Sequence, residues 1–492
     1  MDNTIFSNII LHREFYDENP HQSDLFNIRL NQVYSLQTSI INHFTSFQDR
    51  TFVLDSYRFL LNNILKIFKR NGCGYLPIFF ISGKGKTHFL IWLYHIFCSL
   101  NSGTNKYIES LENEYIRNID FPVNVITIDG ADYSNIPQNQ LDEKSLINSI
   151  SWQIEKPDGL KKISTFKKSN CYPNREFLQN IIPNESPCLF LFDNFEECIF
   201  EYQKNNQTEL LFHFIENLFD LVLHSKNKVI IFSDINKIVD NNNPIYRKIN
   251  WLSKKTTLPN IYLYNQRDFA NIINRRIIKK IKDPSIRINI ATKIREWIEN
   301  DIENFPFKYQ ELEFHYRIIE SYPFHPSVIS FFDDPHLLNQ SLSILSEWIS
   351  YLFLNKPPKN KEFEIICIGD YPLKNEKFLK FLIEFSNIKE LGKFFTPLNL
   401  IEQKTGVYFL DKYKYAKMAD SDFIQKILLI ILFHSLGENY INGVDYKDIF
   451  CELNDQKMSL GIIRDTLYTL DELFGDNQYI QRKGEKFVFN IN

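Results

Sequence analysis

The chain has 492 residues, of which 44% are hydrophobic, 24% charged and 15% aromatic, so it is globular, aromatic-rich and too long for one ordinary domain. A net charge of −4 excludes a global basic field, so any contact with DNA must come from a local patch. Seven scattered cysteines without a C-x-x-C pair argue against a zinc ribbon or disulfide framework and fit a reducing cytoplasm; no secretory apolar stretch follows Met1, and no apolar run is long enough to span a bilayer.

Residues 1–50 are polar and mixed, with weak helical periodicity from Leu25 to Phe47. From Thr51 to Lys69, apolar residues at Val53, Leu54, Tyr57, Leu60, Leu61, Ile64, Leu65 and Ile67 follow helical spacing and predict an amphipathic helix. An apolar run ending Ile78-Phe79-Phe80-Ile81 then gives way to Ser82-Gly83-Lys84-Gly85-Lys86-Thr87-His88 and to an apolar helix from Thr87 to Leu100. This is the layout of a phosphate-binding loop: glycines let backbone N–H groups curl around an anion, and the helix N-terminus adds partial positive charge. Lys86 would reach the β- and γ-phosphates of ATP, and the Thr87 hydroxyl would ligate Mg²⁺, with Gly83, Lys84, Gly85 and His88 completing the loop. The full pattern G-x-x-x-x-G-K-[ST] calls for glycine where Phe80 stands. Either the loop is shortened by a residue, or its first turn is built without glycine.

Pro122 to Asp129 predicts a second strand, and Leu141 to Trp152 the helix crossing back. The lysine-rich stretch from Glu155 to Asn174 reads as a surface insertion. Cys188 to Asp193 is a continuous apolar run that stops at acid, as expected of a strand buried on both faces. At the strand's carboxyl end Asp193 would hold Mg²⁺, directly or through water, and Glu196 or Glu197 could either activate water or merely cap the next element. A strongly apolar helix, Glu209 to Leu223, leads to the buried strand Lys228–Asp234. In sheets of this kind that strand lies between the phosphate-loop and magnesium strands, so Ser233 or Asp234 could touch the γ-phosphate or the attacking water. Asn260 to Asn265 predicts a fifth strand. Alternating strands and helices mean a parallel sheet covered on both faces, with a ligand at the strands' carboxyl ends.

Phe269 to Lys282 reads as a basic amphipathic helix with a solvated charged face, and residues 286–354 as all-helical. His325, between Pro323 and Pro326, has no His or Cys at ligand spacing and reads as part of a turn. Pro357 to Lys361 reads as a linker. Near the C-terminus three helices (Asp422–Leu436, Tyr446–Glu452, Leu460–Phe474) precede a hairpin with a basic tip, Arg482-Lys483-Gly484-Glu485, together predicting a winged helix. Such modules either lay a helix in the DNA major groove or dock proteins; the candidate recognition helix carries Arg464 but also Asp465, Asp471 and Glu472.

The order of parts, namely G-K-T-H at 85–88, Asp193 in its strand, Tyr322-Pro323-Phe324-His325-Pro326, Ile368-Gly369-Asp370-Tyr371-Pro372-Leu373 and a terminal winged helix, resembles the AAA+ ATPases of bacterial phage-resistance systems, particularly the BREX-type ATPase group. The resemblance covers roughly residues 50–490. It implies an α/β P-loop NTPase core at 51–266 after an N-terminal segment at 1–50. A helical lid at 267–356, a linker region at 357–385 and a winged-helix domain at 386–492 would follow. It further implies a cytoplasmic homo-oligomer that binds and hydrolyses ATP with Mg²⁺ and acts with partner effector proteins, or on duplex DNA, and with no membrane. Many AAA+ ATPases place glutamate immediately after the magnesium aspartate; here that place is Asn194. They also borrow an arginine between subunits, for which Arg247 is the candidate, with Arg275 or Arg276 as lid contacts on the nucleotide. A nucleotide-gated scaffold that hydrolyses poorly, and a DNA-binding regulator of the transposition or initiator type, are the alternatives.

Overall fold

The computed structural model describes residues 5–16, 28–34, 44–78, 85–102, 122–133, 146–155, 175–182, 186–233, 247, 266–333, 338–355, 363–372, 375, 378, 380, 421–436, 443–453, 458–474 and 480–489. The chain forms two units: Asp24–Asn265 make one, and Met1–Ser23 together with Gln266–Asn492 make the other. Strand β1 (Ile9–Leu11) therefore belongs with the C-terminal half.

In the unit formed by residues 24–265, helix α1 (Phe44–Asp49) precedes α2 (Asp55–Lys69). Helix α2 buries one stripe, Tyr57, Leu60, Leu61, Ile64, Leu65 and Phe68, as its sequence spacing requires. Strand β2 (Cys73–Ile78) leads towards α3 (Lys86–Ser102), which buries Phe89, Leu90, Ile91, Trp92, Leu93, Ile96 and Phe97. A helix apolar all round is stable only when covered on most sides. Then follow β3 (Asn124–Asp129), α4 (Leu146–Glu155), α5 (Arg175–Ile181), β4 (Cys188–Asp193), α6 (Phe195–Lys204), α7 (Thr208–His224) and β5 (Lys228–Ser233).

The four strands form a parallel sheet in the order β2-β5-β4-β3, so β5 lies between the strand leading to Lys86 and the strand ending at Asp193. Register aligns the carboxyl ends: Ile78 faces Ser233, and Asp129 faces Asp193. Strands β4 and β5 are buried at every residue, which explains their continuous apolar sequences. Behind those ends the Phe192 and Phe232 rings stack at 4.2 Å, with Phe219 stacked on Phe232 and Phe195 edge-on to both. Each such ring contributes roughly 1.5–3 kcal/mol by burial. The fifth strand expected at 260–265 and most of the insertion expected at 155–174 lie outside the described residues.

In the other unit, α8 (Gln266–Ile277) stops five residues short of the expected helix end. Residues Ile278–Ile281 instead form β6, which pairs antiparallel with β1, Ile281 opposite Ile9. Ile278 and Ile281 are buried and Lys279 and Lys280 exposed, a pattern that also fits one turn of helix; pairing with a distant strand decides it. Helices α9 (Ser285–Asn300), α10 (Leu312–Ser321), α11 (Pro326–Phe332) and α12 (Leu338–Leu354) follow, with one helical turn at Phe307–Gln310. His325 is the N-cap of α11: its Nδ1 accepts from the Ser327 N–H at 3.2 Å. Within the stretch read as a linker region, Phe363, Ile365, Ile366, Cys367, Ile368 and Tyr371 are buried, and the Ile366 carbonyl accepts from the His325 N–H at 2.8 Å. That part of the chain is core. Pro357–Lys361 itself lies outside the described residues.

Helices α13 (Ser421–Leu436), α14 (Tyr446–Leu453) and α15 (Leu460–Phe474) are accompanied by short strands β7 (Val444–Asp445), β8 (Ile480–Lys483) and β9 (Lys486–Phe489) in the order β7-β9-β8. Gly484, at φ 68°, takes the left-handed position that the two-residue hairpin turn needs. Phe433 of α13 packs against Phe331 at 4.5 Å and Tyr371 at 5.1 Å, and Phe450 of α14 against Trp297 at 5.1 Å. The C-terminal helices thus share one core with α9 and α11. Inside it His434 Nε2 and Glu452 Oε1 make a buried hydrogen bond at 2.7 Å. Burial acts to raise the Glu452 carboxyl, but the facing His434, then His325 and Lys308, hold it below its usual value.

Candidate functional site

The site lies at the carboxyl ends of the parallel strands, where such sheets bind ligands. Gly85 has φ 83°, a left-handed conformation that a side chain would strain, and its carbonyl accepts from the Phe89 N–H at 2.9 Å to start α3. Lys86 and Thr87 therefore stand on the first turn of α3. The Thr87 hydroxyl donates to Asp193 Oδ2 at 2.5 Å, and the Ser233 hydroxyl donates to Asp193 Oδ1. Three residues spread over 146 positions of sequence, on α3, β4 and β5, thus meet on one carboxylate, with Lys86 close enough to act on its charge.

Asp193 has no exposed surface. Burial pushes its carboxyl pKa above the ordinary value; Ser233 and Thr87 pull it down, Asp129 pushes it up and Lys86 pulls it down, and burial prevails. The carboxylate charge is thus under-compensated by the protein alone. A threonine hydroxyl and a carboxylate are hard oxygen donors of the kind Mg²⁺ prefers, and a cation here would supply the missing compensation. The donor set fits that ion.

The remaining predicted residues fall out as follows. His88 turns towards α1: its Nε2 lies 3.0 Å from Thr51 Oγ1, and its ring packs on Phe47 at 4.5 Å. Because the Thr51 hydroxyl already donates to the Phe47 carbonyl at 2.7 Å, it accepts from His88, which fixes a hydrogen on Nε2. Glu196 is half-buried and Glu197 exposed, both on the first turn of α6. Arg247 is exposed. Arg275 is exposed and Arg276 buried on the last turn of α8, which belongs to the other unit. Gly83, Lys84 and Asp234 lie outside the described residues, as does Phe80.

Sequence reasoning passed over Tyr57, Asp129 and Gly130. The Tyr57 hydroxyl donates to the Gly85 carbonyl at 3.4 Å, while its ring packs on Phe89 and Trp92. Asp129 ends β3 beside Asp193 and accepts from the Asn194 side-chain amide at 3.1 Å. The available signal was its position: an aspartate closing a buried strand and followed by glycine repeats the placement of Asp193.

In the other unit, the hairpin exposes Arg482, Lys483 and Lys486; the Arg482 guanidinium lies over the Tyr468 ring at 4.6 Å, and its Nε donates to the Gly484 carbonyl. The neighbouring face of α15 exposes both Arg464 and Asp465. Among the described residues no helix is long and apolar enough to cross a membrane.

No curated protein matches the chain. Residues 17–247 match the family model described as DUF499 N-terminal domain, a stretch that contains Lys86, Thr87, Asp129, Asp193 and Ser233 and ends at Arg247.

Proposed function

We propose that the chain is an ATPase of the AAA+ type, whose P-loop site binds ATP with Mg²⁺ and hydrolyses it to switch its own assembly or a partner complex. The observation that carries this reading is the convergence of Thr87 and Ser233 on the buried Asp193 carboxylate beside Lys86. The placement of β5 between β2 and β4 supports it, and Ser233 at the carboxyl end of β5 would sense the terminal phosphate. Lys86 would bind the β- and γ-phosphates, and Thr87 and Asp193 would hold Mg²⁺, which supplies charge neutralisation at the phosphate oxygens. Glu196 or Glu197 would orient and deprotonate the attacking water, and Arg247 of a second copy would stabilise the transition state. The β7–β9 sheet with α13, α14 and α15 is read as a winged helix that docks a partner or duplex DNA. The resemblance to phage-resistance ATPases makes antiviral defence the setting.

Steady-state phosphate release and equilibrium nucleotide binding test this reading. Lys86→Ala should lower both by at least about a hundredfold, as loss of a central phosphate contact does. Unchanged turnover in Lys86→Ala would remove the enzyme. One observation favours the scaffold alternative: position 194 holds an amide bonded to Asp129 and not a free carboxylate. Tight ATP binding without phosphate release would decide for a nucleotide-gated scaffold.

A further inference from the structure

We propose that Asp129 and Asn194 are a positioning pair that fixes the Asp193 carboxylate, and that Asn194 serves this role in place of water activation. The inference rests on the nucleotide-site reading above and concerns how this chain supports its cation. Asp129 is buried, and three separate parts of the chain donate to it. Asn194 Nδ2 and the Ala131 N–H reach Oδ1, each at 3.1 Å, and the Leu30 N–H reaches Oδ2 at 3.1 Å. Asn194 takes a left-handed conformation, φ 48° and ψ 34°, which asparagine tolerates better than most residues. Its backbone lies against β3 so closely that a Cβ on Gly130 would stand 1.9 Å from the Asn194 carbonyl oxygen. That same oxygen accepts from the Glu197 N–H at 3.1 Å.

Asn194 is therefore held at both ends, by its side chain to β3 and by its carbonyl to the first turn of α6. Asp193 directly precedes it and shares its peptide plane, so the rotation of Asp193 is limited by the same ties. A glutamate at 194 would bring a second carboxylate towards Asp129 and lose the bond, and a like-charge contact in a buried setting is unfavourable. Groups that orient a metal ligand without touching the metal typically cost ten- to a hundredfold in metal affinity when removed.

The test uses the full chain and a fluorescent ATP analogue, titrated with Mg²⁺ and, separately, in EDTA. Asn194→Ala and Asp129→Ala should each raise the Mg²⁺ concentration for half-maximal binding by about ten- to a hundredfold and leave the affinity in EDTA unchanged. The double variant should be no worse than the worse single one, because both remove the same tie. Asn194→Gly keeps the left-handed backbone without the amide and should behave as Asn194→Ala; if it matches wild type, backbone conformation alone suffices and the pair is refuted. Equal losses with and without Mg²⁺ also overturn the pair, as general damage to the site. Wild-type binding with all variants unchanged overturns it while leaving the nucleotide site standing. A wild-type chain that binds no nucleotide removes both. If Asp129→Ala does not fold, the comparison of Asn194→Gly with wild type still decides.

Discussion

Asp193→Asn separates the cost of the site from its use. The variant keeps the side-chain volume and removes a charge that burial disfavours. One of the two hydroxyls can go on donating to the retained oxygen, and the other rotates to accept from the new amide. Because the Asp193 pKa is raised in the folded chain, its contribution to stability is fully present below the ordinary carboxylate range and is lost as pH rises through the folded value. Each pH unit between the two values costs the wild type about 1.4 kcal/mol. Without ligand at pH 8, the variant should therefore be more stable than wild type, by a gap that closes towards pH 4. With Mg²⁺ and ATP at a hundredfold over Kd the wild type should gain about 2.7 kcal/mol relative to the variant, which gains little. Hydrogen exchange of the β4 and β5 amides in increasing urea, from pH 5 to pH 8, reads the stability of this unit alone. A variant less stable than wild type at pH 8, by a margin that grows with pH, would refute the reasoning.

Gly130→Ala should destabilise the sheet unit by about 3 kcal/mol, because the new Cβ meets the Asn194 carbonyl and neither backbone segment is free to retreat; urea unfolding followed at β3 checks it. Glu452→Gln should cost the other unit about 1–3 kcal/mol at pH 7 by replacing with a neutral amide the buried carboxylate that His434 faces at 2.7 Å. Since the Glu452 pKa is lowered in the folded chain, that difference should be present above the ordinary carboxylate range and shrink as pH falls through the folded value, which denaturation from pH 7 to pH 3 would show.

What could be read from the sequence was local. Strands β4 and β5 are unbroken apolar runs because both faces are covered, and a run of that kind announces itself without any partner. Lys86, Thr87, Asp193 and Ser233 were legible for the same reason: each closes or opens such a run. Residues whose role is set by contact with remote chain were not. Ile277-Ile278-Lys279-Lys280-Ile281 satisfies helical spacing as well as strand pairing, and only β1 tips it. The buried run Phe363–Ile368 follows a proline-rich stretch that reads as linker, and its backbone bonds go to Pro323 and His325, about 40 positions earlier. His88 was read with the loop it follows, yet Thr51, 37 positions earlier, takes its ring nitrogen. Asn194 reads as an absent glutamate in sequence alone, whereas its amide bonds Asp129, 65 positions away.

The pairing of β1 with β6 carries a consequence for how the polypeptide is made and dissected. Ser7 accepts a hydrogen bond from Lys282, 275 positions downstream, so the segment around Ile9 leaves the ribosome long before its partner exists. The whole unit of residues 24–265 is synthesised in between, as an excursion from its neighbour. An expression boundary drawn just before α2 would spare that excursion and yet strip an edge from the half of the protein encoded last.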